Sequence, residues 1–195
     1  KNGRGDVLMT LTEALNKVCI KRSGAPVIAM GEYRPAAVML DSTGYGNLAP
    51  TYPFGVQAAE VEVDETTGKI IVKKIVAVHD SGRIFNPQMA AGGVYGGVAQ
   101  AFGFAMMEQL GINNQGLLHG GTLLEYKMPT MLDVPELVAD FVETEDPHGP
   151  YGAKALGEPP IVSVLPAIAN AVYDAIGLRL DDAPFTPQKL SLIHI

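Results

Sequence analysis

Between Ala90 and Met107 the chain carries no charged residue and five glycines, Gly92, Gly93, Gly96, Gly97 and Gly103. A run of this length is near what a membrane span needs. The glycines, the amide of Gln100, and the nearby charges Arg83 and Glu108 point instead to a buried helix of a soluble domain. Glycine costs about 1 kcal/mol against alanine in an exposed helix. Several in one helix imply that something presses against it. Glycines at i and i+4 let a second backbone, or a ligand, come close. Asn86-Pro87 suits the start of such a helix, with Asn as cap and Pro in the first turn. Gln100 is the lone amide of the run. If buried, it must find partners, in neighbouring backbone or in a ligand rich in donors and acceptors.

The helix needs a partner surface, and the preceding segment supplies one. Val56 to Val63 reads as a strand, Asp64-Glu65-Thr66-Thr67-Gly68 as a turn, and Lys69 to Val78 as a second strand rich in β-branched residues. Two strands around a glycine-containing turn make a β-hairpin. Upstream, Leu8, Leu11, Leu15 and Val18 recur at steps of three and four, which predicts an amphipathic helix over 7–20 capped by Thr10 or Thr12. Val27, Ala29, Val38 and Leu40 suggest short strands. Residues 41–55 and 111–121 read as loops. Leu123 to Met128 and Leu137 to Thr144 read as strands. Ile168, Val172, Ala175 and Ile176 form one face of a helix ending at Gly177, with Pro166 dividing off a first short turn. Together these give an α+β fold. Residues 1–190 read as one domain. Ser191 to Ile195 fit nothing before them and read as a foreign tail.

Gly149-Pro150-Tyr151-Gly152-Ala153-Lys154-Ala155-Leu156-Gly157-Glu158-Pro159-Pro160 holds one lysine and one glutamate in a run otherwise small, turn-forming or apolar. The prolines and the apolar pattern beyond them place Glu158 near a helix N-terminus, where the macrodipole favours a carboxylate. Two roles fit. One is a helix-capping glutamate on a surface turn. The other is a general base in a glycine-rich loop open to a ligand.

Composition narrows the classes. The net charge of −7 gives no nucleic-acid footprint. A single cysteine, Cys19, excludes an internal disulfide and fits a reducing, cytoplasmic compartment. No Cys/His cluster has the spacing of an iron–sulfur or zinc site. His79, His119 and His148 lack ligand spacing, and Cys19 reads as core. Met106, Met107 and Phe104 read as packing.

Four stretches, in order, carry a resemblance: FGVQAAEVEVDETTG from Phe54, HDSGRIFNPQMAAGGVYGGVAQAFGFAMME from His79, LEYKMP from Leu124, and GAKALGEPP from Gly152. They resemble the molybdenum hydroxylases, the xanthine dehydrogenase and aldehyde oxidase family. The match is to the C-terminal part of the large subunit, its second molybdopterin-binding domain. The implied architecture is a mixed sheet whose hairpin packs against the Gly-rich helix and a C-terminal helix. Glu158 aligns with the family's catalytic glutamate. Lys154 and Gly157 lie in the same loop. Gln100 aligns with a glutamine of the pterin-contacting helix, with Gly93 and Gly97 beside it, and Gly93 could contact a cofactor through backbone only.

The resemblance implies oxidative hydroxylation of an electron-poor carbon, with water as oxygen source and Glu158 as general base. The implied cofactor is molybdenum–molybdopterin, with or without a dinucleotide extension. Iron–sulfur clusters and FAD are implied on partner domains or subunits, beside an upstream molybdopterin-binding domain. Neither nucleic acid nor membrane is implied as a partner. A purine-like heterocycle or an aldehyde is the implied substrate. The family's earlier cofactor-binding segments are absent, and Lys1 to Asp6 stands where a cofactor-contacting loop is expected. The chain alone is therefore expected to be an inactive fragment. A non-catalytic assembly domain and a 4-hydroxybenzoyl-CoA reductase type are the alternatives. Glu158-Pro159-Pro160 favours the hydroxylases over the latter.

Overall fold

The computed structural model describes residues 8–21, 23, 24, 26, 28–34 and 39–193. Val7, Val27, Val38, the Lys1–Asp6 segment and residues 194–195 lie outside them. The chain divides into two units, residues 1–34 and 35–195.

In the first unit, α1 spans Leu11–Lys21. It begins later than the periodicity predicts because Thr10 closes a capping box: the Thr10 N–H donates to Glu13 and the Glu13 N–H to Thr10 Oγ1. Leu8 therefore precedes the helix. The backbone and then the hydroxyl of Thr10 hold the Glu13 carboxyl below its usual range. No α1 residue is buried, and Cys19 is half-buried.

The second unit is built on a three-stranded mixed sheet. Strands β1 (Phe54–Asp64) and β2 (Lys69–Asp80) form the expected antiparallel hairpin, with a register shift at Glu60/Val61. Asp64 fixes the turn by accepting from the Thr66 N–H and the Thr67 hydroxyl, and Gly68 takes a positive φ of 70°. Strand β5 (Glu136–Val142) lies parallel to β2 on its other side. A parallel neighbour needs a long crossover, and the intervening chain contains α2 (Pro87–Met106). Asn86 caps α2 by accepting from the Met89 N–H at 3.1 Å, with Pro87 at its start.

One sheet face, with Ile70, Ile75 and Ala77 of β2, is covered by α2 and by α4 (Val164–Ile176). Val94, Val98, Ala101, Phe102 and Ala105 come from α2, and Val164, Ile168, Ala169 and Val172 from α4. Burying a side chain such as Ile168 contributes about 1.5–3 kcal/mol. Helix α4 stops at Gly177, whose φ of 72° suits glycine. Helix α5 (Pro187–Ile193) adds Leu190 to the core.

Some expectations are corrected. Residues Leu123–Met128 form a turn instead of a strand: the Glu125 and Tyr126 N–H groups donate to the Thr122 carbonyl, and the Tyr126 hydroxyl donates to Glu108. The 111–121 loop contains a small ladder, β3 (Gly111–Ile112) with β4 (Leu118–His119). The break before α4 falls at Ser163, separating α3 (Pro159–Val162), and Pro166 sits inside the first turn of α4. By length and composition Pro159–Ile176 is apolar enough to cross a membrane. Its α4 part buries its apolar face in the core instead.

Helix α2 buries only one face, and Gln100 is exposed, against the expectation that it is a buried amide. The helix turns it away from the stripe formed by Val94, Val98, Ala101 and Ala105. Its glycines divide in two. A Cβ at Gly97 would stand 2.9 Å from Pro160 Cβ, and one at Gly103 2.8 Å from Pro129 Cδ. At Gly92, Gly93 and Gly96 it would meet nothing. In this chain Gly97→Ala is expected to cost about 1–3 kcal/mol by overpacking. Gly93→Ala should stabilise by up to about 1 kcal/mol through helix propensity. Urea denaturation of the two variants checks both signs.

Candidate active site

The segment from Gly149 to Pro160 is stitched to the exit of β2. Its first turn, Pro150–Gly152, includes Tyr151 at φ 55°. The Lys154 N–H donates to the Ser81 carbonyl at 2.8 Å, and the Arg83 N–H to the Gly152 carbonyl at 3.0 Å. Gly82, at φ 65°, allows this approach, because a Cβ there would overlap the Gly152 carbonyl.

Lys154 joins the same junction. Its ammonium donates to Asp80 Oδ2 at 2.7 Å and to Thr144 Oγ1 at 2.9 Å. The Lys154 and Asp80 side chains keep only 8% and 13% of their exposure. Burial pushes the Asp80 carboxyl up. Hydrogen bonds from Lys154, Thr144 and the Gly82 N–H, with the lysine charge, outweigh this and bring it down to about 2.

Beyond Lys154 the loop opens onto a cavity of about 750 Å³. Gly157 and Glu158 line it with Tyr52, Pro53, Gly55, and Pro159. The long loop before β1 thus forms the opposite wall, and the Tyr52 hydroxyl is held by Asn47 at 2.8 Å. Glu158 occupies the N-cap position of α3, as expected from the two prolines. Its carboxylate makes no capping hydrogen bond, so the capping role is not the one the side chain performs. Helix α3 is only four residues long, which leaves little macrodipole to favour the charge.

Of the residues singled out from sequence, Glu158 and Gly157 come together at the cavity. Lys154 is in the same loop, but its ammonium is bound to Asp80. Gly97 seats Pro160 from behind. Gln100 and Gly93 are exposed on α2 and do not line the cavity. Sequence reasoning missed Gln57 and His79. Gln57 Nε2 donates to the Pro160 carbonyl at 2.7 Å and lies 3.4 Å from His79 Nε2. His79 reads as a strand end in sequence yet is 1% exposed, and burial holds its imidazole below the usual range. Both interrupt the apolar pattern of inward-facing strand positions, the one signal that could have found them.

Residues 4–135 match the family model of the molybdopterin cofactor-binding domain. That is more than half of the chain, and the chain belongs to this family. It is 44% identical over 138 residues to the xanthine dehydrogenase molybdenum-binding subunit of Escherichia coli O157:H7, covering 70% of this chain and 18% of that one. It is 36% identical over 143 residues to the carbon monoxide dehydrogenase large chain of Hydrogenophaga pseudoflava, covering 72% and 18%. Its fold superimposes on the aldehyde oxidoreductase of Desulfovibrio gigas with a TM-score of 0.70 at 34% identity, covering 79% and 17%. The chain thus spans less than a fifth of the length of these relatives.

Proposed function

We propose that this chain is the second molybdopterin-binding domain of a molybdenum hydroxylase large subunit, with Glu158 as the general base. The observation that carries this is the placement of an uncapped carboxylate on the wall of a cavity large enough for a small substrate. Among the described residues no cluster of metal-ligating side chains exists. A metal acting at this site would therefore be held by an organic cofactor and not by a cluster of these side chains.

A bound molybdenum–molybdopterin supplies the two-electron acceptor for oxidising an electron-poor carbon, with water as the oxygen source. The chain's own residues supply the rest. Glu158 takes up a proton at a carboxylate oxygen, which raises the nucleophilicity of the group that loses it. Pro53, Pro159, Val162 and Ala49 give the cavity apolar walls. Apolar walls lower the local dielectric, which strengthens charge interactions beside them. Gln100 and the backbone at Gly93 offer cofactor contacts on the open side of α2. Lys154 and Gly97 act by holding the loop. A purine-like heterocycle or an aldehyde is the substrate class. An upstream molybdopterin-binding domain and subunits with iron–sulfur clusters and FAD complete the enzyme.

The test is co-expression with the missing upstream part and the partner subunits. The complex should retain molybdenum and hydroxylate one of hypoxanthine, nicotinate or benzaldehyde. A folded complex without molybdenum overturns the proposal in favour of an assembly domain.

A further inference from the structure

The geometry points to Gln57, braced by His79, as a positioning residue for Glu158; this rests on the assignment of Glu158 as base. Gln57 reaches from β1 to the second residue of α3, and its Nε2 donates to the Pro160 carbonyl at 2.7 Å. Glu158 is two residues away, and its own carbonyl accepts from the Ile161 N–H at 2.9 Å. Fixing Pro160 thereby fixes the turn that carries the carboxylate. The amide orientation is set by chemistry: a carbonyl partner requires a donor, so nitrogen faces Pro160.

The same nitrogen lies 3.4 Å from His79 Nε2. Against a donor, that ring nitrogen serves as acceptor, which places the imidazole proton on Nδ1. His79 lies directly behind the cavity wall, since a Cβ at Gly55 would strike its Nδ1 and Cε1. His79 Nδ1 and Gln57 Oε1 are buried and have no partner within the protein. Buried polar atoms left unpaired carry an uncompensated desolvation cost. A side chain kept for packing alone would avoid that cost, and an apolar residue of the same shape would fill the space. What the amide adds is the bond to the glutamate loop.

The experiment uses the complete molybdenum-loaded enzyme. Gln57→Met keeps size and removes the donor; Gln57→Leu also removes it, on a smaller side chain, should the Met variant fail to assemble. Amide exchange at Gly157, Glu158 and Ile161 should quicken about tenfold, as local opening becomes easier. The kcat should fall about 10- to 100-fold, the scale of a small misplacement, with KM and molybdenum content within about twofold. In a Glu158→Gln background, adding Gln57→Met should leave kcat unchanged within about twofold, because coupled residues are not additive. Unchanged exchange overturns the inference. So does faster exchange with unaltered kcat, or a loss that multiplies in full on Glu158→Gln. If Glu158→Gln alone costs nothing, the base assignment fails and the positioning role with it, while the exchange result still reports whether Gln57 holds the loop.

Discussion

Replacing Glu158 by glutamine in the assembled, molybdenum-loaded enzyme is expected to lower kcat by about 10²- to 10⁴-fold, the usual contribution of a positioned general base. Glutamine keeps the shape at the start of α3 and removes the acceptor for the proton. Because the carboxylate makes no capping hydrogen bond, the fold should not register the change. Thermal stability should therefore match the parent, and so should metal content. A steady-state assay beside a metal analysis checks this. A variant as active as the parent removes Glu158 from the chemistry.

The second large effect is structural. Lys154→Met leaves the Asp80 carboxylate nearly buried and without its cation. Breaking such a pair from one side costs about 3–5 kcal/mol when fully buried, because the remaining charge is uncompensated. The residual exposure here argues for the lower end. Pairing Lys154→Met with Asp80→Asn should recover part of the loss, which urea denaturation of the single and double variants measures. The same pair sets an acid limit. The Asp80 carboxyl lies at about 2 in the folded chain against an ordinary 3.8. Between these values the unfolded chain binds more protons than the folded one, so stability falls as pH drops. The contribution is complete above pH about 4 and is lost on descending through pH about 2. In Asp80→Asn that slope should flatten.

Much of the scaffold could be read from the chain itself. The hairpin was legible because Asp64 and Gly68 bracket a turn between two β-branched runs, and local chemistry suffices to specify it. The start of α2 and the end of α4 were legible through Asn86 and Gly177 for the same reason. What failed was long-range. Gln100 sits in an apolar run, and only the packing of α2 on the sheet decides that it faces outward. Tyr126 reads as a strand residue until Glu108 captures its hydroxyl. At the site, two prolines announced the position of Glu158. Nothing local announced that Lys154 would turn to Asp80, 74 residues upstream, or that Gln57 would reach Pro160.

The span of that last bond also orders events during synthesis. Gln57 and Pro160 are 103 residues apart. At about 5–20 residues per second, a ribosome makes Gln57 roughly 5–20 s before it makes the carbonyl that Gln57 will hold. The hairpin forms within microseconds. Assembly of the glutamate loop must instead await the C-terminal helices. A chain stalled or truncated after β5 would carry the hairpin and no site, because the glutamate loop and the α4 residues that cover the sheet lie beyond it.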